Sequence, residues 1–314
     1  MILFQPALSS RFRRDLNLFF ALSRTPHGLI DMAAPALAAL LCLGHFPSPA
    51  VVIVGLITVF AGYSAVYALN DVVDFRTDKH KAGAGIFNSQ TDCADLDSAL
   101  LRHPMAKGAL SLSAGLAWTG CWAAVAVAGA WWLNPVCLYI FLAGCILEGI
   151  YCSLWRVTPL RTLINGVVKT LGSMAAVFAV DPSPSFLFLA VLFLWIFCWE
   201  IGGQNIPNDW TDIEEDRQFK AQTIPLKLGT GRAGVISLAA LAATLFLNFL
   251  LFWVSPIRFD PVILVAALAI NAWLLLWPVL RLVENHERPK AMALFNKASY
   301  YPLANLVLVL IAMV

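Results

Sequence analysis

Nine apolar stretches, each long enough to cross a hydrocarbon layer, leave this chain few ways to fold. They run over His27–Leu43, Val51–Leu69, Leu110–Gly129, Trp131–Tyr151, Leu163–Val180, Ser185–Ile206, Ala233–Val254, Pro261–Val283 and Leu294–Val314. A hydrocarbon core about 30 Å thick takes about 20 helical residues, and inside it a helix satisfies all its own backbone polar groups. Turn signals separate the runs: Phe46-Pro47-Ser48-Pro49, Asn134-Pro135, Asp181-Pro182-Ser183-Pro184 and Ser255-Pro256. With 60% hydrophobic and 13% charged residues and a mean hydropathy of +0.76, the chain is too apolar for an ordinary soluble domain. The expectation is an all-α integral membrane protein in which residues 1–314 form a single polytopic domain.

Charge placement then orients it. Arg11, Arg13, Arg14 and Arg24 precede the first run, and Arg76, Lys79, Lys81, Arg102 and Lys107 lie between the second and third. Arg156 and Arg161 follow the fourth. Arg217, Lys220, Lys227 and Arg232 follow the sixth, and Arg281, Arg288, Lys290 and Lys297 lie around the junction of the eighth and ninth. Nine crossings put all of these on one side, with Arg258 alone in an opposite loop and Lys169 inside the fifth run. The positive-inside rule makes that side cytoplasmic, with the N-terminus inside, the C-terminus outside and the inner membrane as the location. The N-terminal basic cluster follows a short apolar start without a cleavable core. Phe12, Leu16, Phe19 and Phe20 suit either an amphipathic surface helix or a frayed tail. The seven cysteines contain no C-x-x-C pair, so neither a disulfide framework nor a zinc site is indicated.

Two acidic motifs carry the chemistry. Asn70-Asp71-Val72-Val73-Asp74-Phe75-Arg76-Thr77-Asp78 closes the second run, and Asn208-Asp209-Trp210-Thr211-Asp212-Ile213-Glu214-Glu215-Asp216 closes the sixth. On a helix, Asp71, Asp74 and Asp78 share a face, as do Asp209, Asp212 and Asp216. Clustered carboxylates repel, so stacking them gains nothing unless a cation sits among them. All-oxygen ligands at a membrane edge favour Mg²⁺, completed by waters and substrate phosphates. A straight helix separates Asp71 from Asp78 by about 10.5 Å, too far for one ion. Asp71 and Asp74 are therefore the expected pair, with Asp78 serving a second ion or the loop. The motifs' spacing, and Thr25-Pro26 and Thr158-Pro159 before the first and fifth runs, suggest two four-helix halves plus a ninth helix.

Paired Asp-rich motifs in so apolar a chain resemble the UbiA superfamily of intramembrane prenyltransferases. The resemblance implies helices around a central cavity, in which the two motifs face each other and hold an isoprenoid diphosphate through Mg²⁺. It makes Asp71, Asp74, Asp209 and Asp212 the catalytic candidates, with Asp78 and Asp216 completing the metal ligands. Ser23-Arg24-Thr25-Pro26 resembles the family's Arg-x-Pro stretch, making Arg24 a diphosphate ligand. Tyr151-Cys152-Ser153-Leu154-Trp155-Arg156 is similar to its tyrosine-plus-basic motif, which adds Tyr151 and Arg156; Asn70 and Asn208 join as substrate-binding residues. His103-Pro104-Met105-Ala106-Lys107-Gly108 resembles the R-P-x-x-x-G segment with histidine in place of arginine. Thr223 to Gly229 resembles K-T-L-P-V-x-x-G. Loops 70–108 and 207–232 would cap the cavity, with Gly83 to Leu101, carrying Gly85, Asp92, Asp95 and Asp97, as an acidic insertion.

The implied reaction moves a prenyl group from a polyprenyl diphosphate to a lipophilic acceptor, by default an aromatic quinone precursor, alternatively a lipid or haem. The residues after Asp78, Lys79-His80-Lys81-Ala82, depart from the R-T-x-x-R-P of relatives acting on 4-hydroxybenzoate or haem. Membrane lipids are the surroundings, and no nucleic-acid partner is expected. Lys169 lies at a depth where a charge costs about 2.5–3.5 kcal/mol; it either faces the diphosphate or pairs with Glu148 or Glu200. Glu200, Gln204 and Asn208 share one face and line an acceptor pocket or an interhelix patch. Asp31 is expected to reach water. The rival class is a transporter or channel with a cation site, against which the acid clusters sit at helix ends rather than midway.

Overall fold

The computed structural model describes residues 15–83 and 96–313. Among them, nine helices are long and apolar enough to cross a membrane. They are α1 (Thr25–Leu43), α2 (Pro49–Val73), α3 (Leu112–Leu133), α4 (Pro135–Ser153), α5 (Arg161–Val180), α6 (Phe186–Thr211), α7 (Thr230–Val254), α8 (Pro261–Asn285) and α9 (Arg288–Ala312). Local chemistry sets the starts. Ser48, Ser111, Asn134 and Asp260 each accept a hydrogen bond from a backbone N–H of the first turn, at 3.4, 3.1, 2.9 and 2.8 Å. Proline follows the cap in α2, α4 and α8, where no N–H is needed. The Asn134 cap moves the start of α4 past Trp131 and Trp132, which belong to α3.

Internal prolines shape the rest. Pro207 and Pro278 lack the N–H that would bond the carbonyl four residues back. Just before them, α6 widens into a π-turn at Glu200–Asn205 and α8 at Ala272–Leu276. Pro35 follows the break in α1 at Met32, and Pro302 follows the one in α9 at Tyr300.

The larger core lies among α1 and α5–α9, centred on the buried Trp195, Trp199 and Tyr301. Trp195 Nε1 donates to Tyr301 Oη at 3.0 Å and Trp199 Nε1 to the Ala298 carbonyl at 3.0 Å, so these rings keep their polar atoms satisfied. Outward faces carry Phe186, Trp253 and Val262, as lipid contact requires. A short helix over residues 15–22 precedes α1. Its Phe19 stacks on Trp118 of α3 at 4.8 Å and its Leu22 is buried with Ala68 and Met105. Arg11, Phe12, Arg13, Arg14 and most of the acidic insertion, including Gly85, Asp92 and Asp95, lie outside the described residues.

Candidate active site

Each acidic motif straddles a helix end. α2 stops at Val73, Asp74 forms its C-cap, and a separate helix, Phe75–Gly83, sets off in a new direction. Across this bend the side chains of Asp71 and Asp78 approach each other, both buried. The two carboxyls come closer than the straight-helix separation of their backbones suggested, so Asp78 as well as Asp74 is a candidate partner for Asp71. Between them stands His103, whose Nδ1 is 3.5 Å from Asp71 Oδ1 and 3.1 Å from Asp78 Oδ2. One ligand atom from each of the three lies within 4.8 Å of the others, close enough to share an ion. His103 adopts a left-handed backbone (φ 52°), and Met105, buried against Leu22 and Ala68, pins its loop. Arg24, also left-handed at φ 43°, places Nη2 3.9 Å from Asp71 Oδ1.

The second motif repeats the break. α6 ends at Thr211, Asp212 interrupts it, and Ile213–Gln218 is a fresh helix. Asp209 and Asp216 are buried. Arg161, at the start of α5, donates from Nη2 to Asp209 Oδ1 at 2.8 Å. Asp209 Oδ2 is buried with no hydrogen-bond partner among the described residues, an acceptor aimed at something else. Lys81 joins the two motifs: its Nζ is 2.9 Å from Glu215 and 3.8 Å from Asp78, and 4.2 Å from the centre of the Trp155 ring.

The carboxyls outside the membrane-spanning segments feel this crowding. Burial, then the Asp78 charge, raises Asp74 to about 6. Burial and Glu215 raise Asp212 to about 6, and burial with Asp209 and Asp212 raises Asp216 to about 8. For His103 burial acts downward but hydrogen bonds and charge from Asp71 and Asp78 prevail, lifting it to about 9. The same contact reverses the effect of burial on Asp78, whose carboxyl is lowered.

A cavity of about 470 Å³ runs from this polar end towards Phe46, Pro47 and Val51 at the far ends of α1 and α2. Arg24, Asn70, Tyr151 and Asn208 line its polar mouth. Asn70 Nδ2 donates to Glu148 Oε1 at 2.7 Å, and Tyr151 Oη accepts from Asn205 Nδ2 at 3.3 Å with the Arg161 guanidinium 4.7 Å from its ring centre. Arg156 is not part of this set: it is exposed, lying over Trp155 and Phe219 at 5.3 and 5.9 Å from their ring centres. Arg161, the first residue of α5, is instead the basic group beside Tyr151. Lys169 lines the cavity but pairs with neither Glu148 nor Glu200. Its Nζ is 2.5 Å from Asp31 Oδ2 and 3.1 Å from Tyr67 Oη, and Tyr67 donates to the same Asp31 oxygen. Asp31 does not reach water; it is 2% exposed, because the break in α1 turns it inward.

Glycines of the π-turn let α6 sit close to its neighbours. A Cβ on Gly202 would lie 2.8 Å from the Ser237 carbonyl of α7, and one on Gly203 2.9 Å from Ala298 of α9. The turn thereby directs Glu200, Gln204 and Asn205 to the cavity.

A family model described as "UbiA prenyltransferase family" matches residues 32–300. The digeranylgeranylglyceryl phosphate synthase of Thermococcus kodakarensis is 22% identical over 263 residues, covering 82% of this chain and 87% of that protein. The apo structure of a UbiA homologue from Aeropyrum pernix K1 superposes with a TM-score of 0.70 at 20% identity, covering 92% of this chain and 98% of the other. A homologue from Archaeoglobus fulgidus, bound to DMAPP and Mg²⁺, gives 0.67 at 15% identity, covering 93% and 99%.

Proposed function

The chain belongs to the UbiA prenyltransferase family, and from that premise we propose that it transfers a prenyl group, dependent on Mg²⁺, from a polyprenyl diphosphate to a lipophilic acceptor. The observation that carries this reading is that Asn70 and Asn208, the residues that open the two acidic motifs, both line the polar mouth of one long apolar cavity. The residues suit the ion. Asp71 and Asp78 offer converging carboxylate oxygens and Asp209 an unpartnered buried one, the hard donors that Mg²⁺ takes. Asp74, Asp212 and Asp216, from the same two motifs, would complete the ligands, while Arg24 beside Asp71 and Arg161 beside Asp209 would receive diphosphate oxygens. When bound, the ions would offset negative charge growing on the departing diphosphate.

The protein's own residues supply the rest. Arg161 holds Asp209 in place and keeps a further edge for the donor, since its Nε is buried without a hydrogen-bond partner among the described residues. Tyr63, Tyr67 and Phe141 line the cavity below, where aromatic faces stabilise an allylic cation and water is scarce. The one-sided basic loops support a cytoplasmic face of an inner membrane for this end, and the described parts of segments 70–108 and 207–232, tied through Lys81, would act as its cap. The acceptor is lipophilic, an aromatic quinone precursor or a lipid alcohol. The T. kodakarensis relative acts, by its name, in making a lipid phosphate.

Protein reconstituted in nanodiscs with labelled geranyl diphosphate tests the reading. Diphosphate release and a prenylated product should require Mg²⁺ and stop with a chelator. Donor that neither binds nor reacts with Mg²⁺ present would refute it.

A further inference from the structure

A second polar cluster lies deep in the cavity, where diphosphate and its metals have no need of it. Lys169, Asp31 and Tyr67 form one closed group in which each polar head bonds another. Beside it, Asn165 Nδ2 donates to Glu200 Oε1 at 2.8 Å, and that leaves Glu200 Oε2. This oxygen is buried with no hydrogen-bond partner among the described residues, on a side chain 4% exposed that lines the cavity. One turn nearer the mouth, Asn205 repeats the pattern: its Nδ2 goes to Tyr151, and its Oδ1 is buried without a partner. Two polar atoms left bare in a membrane interior are costly unless something visits them. Both belong to the π-turn of α6 and line the same cavity.

Position says what visits. Glu200 precedes Asp209 by nine residues, about 13 Å at helical rise, so it stands below the donor's diphosphate, not among its ligands. Gly62, Val66, Ile140 and Phe141 give the same cavity an apolar stretch of lining that suits the prenyl chain. Charge says which kind. Among the described residues, the one lysine lining the cavity, Lys169, is already matched by Asp31, and Glu200 and Glu148 add carboxyls on the cavity wall. An anionic head would meet these without an unmatched cation, whereas a hydroxyl can both give and accept a hydrogen bond.

We propose that Glu200, Asn165 and Asn205 form the acceptor-head subsite and that it takes a neutral, hydroxyl-bearing lipophile in preference to one with a carboxylate or phosphate head. This rests on the prenyl-transfer reading and names the acceptor class for it. In the transfer a bond forms from the acceptor to C1 of the donor and the C1–O bond to diphosphate breaks. The acceptor's proton passes to Glu200, and the electron pair leaves with diphosphate.

The test uses the full chain in nanodiscs, a long-chain 4-alkylphenol, the matching 4-alkylbenzoic acid, and geranyl diphosphate with Mg²⁺. Donor binding, measured alone, reports on the underlying reading; if wild type fails it, prenyl transfer falls, whatever Glu200 does. Given donor binding, the alkylphenol should bind at least tenfold more tightly than the benzoic acid. Glu200→Gln, which keeps a hydrogen-bonding head, should keep donor and phenol affinity within a few-fold while kcat falls about a hundredfold, the usual scale for losing a proton acceptor. Glu200→Leu combined with Asn165→Leu should abolish phenol binding and leave donor affinity unchanged, which also shows the variant is folded. Equal or better binding of the benzoic acid would overturn the proposal, as would unchanged phenol affinity in the double variant. Loss of donor binding with Glu200→Gln would assign the residue to structure or to the donor, and overturn it as well.

Discussion

Arg161 Nη2 donates to Asp209 Oδ1 at 2.8 Å, both groups buried, which ties the first turn of α5 to the second acidic motif. Breaking a buried pair from one side leaves an uncompensated charge and costs about 3–5 kcal/mol. Arg161→Leu should therefore accumulate poorly in membranes, whereas Arg161→Lys should insert and fold. The lysine keeps the charge but loses the planar fork that grips two oxygens. We expect it to bind inorganic diphosphate with Mg²⁺ about tenfold more weakly, the worth of one charge-assisted hydrogen bond. Calorimetric titration of the purified variant checks this, and unchanged affinity would remove Arg161 from the donor site.

Lys169 offers a different outcome. Its partner is Asp31, not the donor, so Lys169→Met should chiefly destabilise, stranding a buried carboxylate at a cost of about 3–5 kcal/mol. The double variant Lys169→Met, Asp31→Leu removes both charges and should recover most of the lost melting temperature. Thermal melting in one detergent compares the three proteins. A double variant no more stable than the single would mean the two charges do not depend on each other.

His103 predicts how stability varies with pH when divalent cations are chelated. Its folded pKa is raised to about 9 against the opposing effect of burial, through Asp71 and Asp78. The imidazolium's contribution is therefore fully present below the unfolded value of about 6.5 and is lost as pH climbs towards 9. Wild type in chelator should melt progressively lower between pH 7 and 9.5, and His103→Gln should show a flatter profile. Mg²⁺ should restore both, since it replaces the proton as the charge between the carboxylates. A wild-type profile as flat as the variant's would sink this account.

Much of this was legible in the sequence, for identifiable reasons. The apolar runs mark all nine spans among the described residues, and Ser48, Ser111, Asn134 and Asp260 cap four of them, because helix ends in a membrane must satisfy their own backbone. The two acidic motifs stand out because charge is rare there. What failed turned on helix breaks. A periodic reading carries α2 straight through Asp74, so it could not see Asp78 return to Asp71. It also could not see Asp31 turned inward ahead of Pro35, although that proline was a signal for the break. Arg156 and Arg161 are five residues apart with Thr158-Pro159 between them, and only the chain's path decides which guanidinium reaches the second acidic motif. His103 could be found only as an odd residue in a familiar segment.

The approach of Asp78 to Asp71 changes which aspartates should act together. If Asp71 and Asp78 share one ion and Asp209 helps hold another, removing charge from any of the three weakens the same diphosphate clamp. Asp71→Asn, Asp78→Asn and Asp209→Asn keep nearly the same shape, so each should insert normally. Each should lower turnover by about a thousandfold, the scale for removing one element of charge stabilisation in a dry site. The double variant Asp71→Asn, Asp209→Asn should be scarcely worse than either single, because residues acting as one unit do not add. Mg²⁺-dependent thermal shifts supply a reading independent of turnover: the shift should shrink in all three single variants and vanish in the double. Asp78→Asn is the discriminating protein. If it kept near-normal turnover and a full Mg²⁺ shift while Asp71→Asn and Asp74→Asn lost both, the ion would be held along α2 by Asp71 and Asp74, and the cluster with His103 would be a charge-matched hinge rather than a metal site.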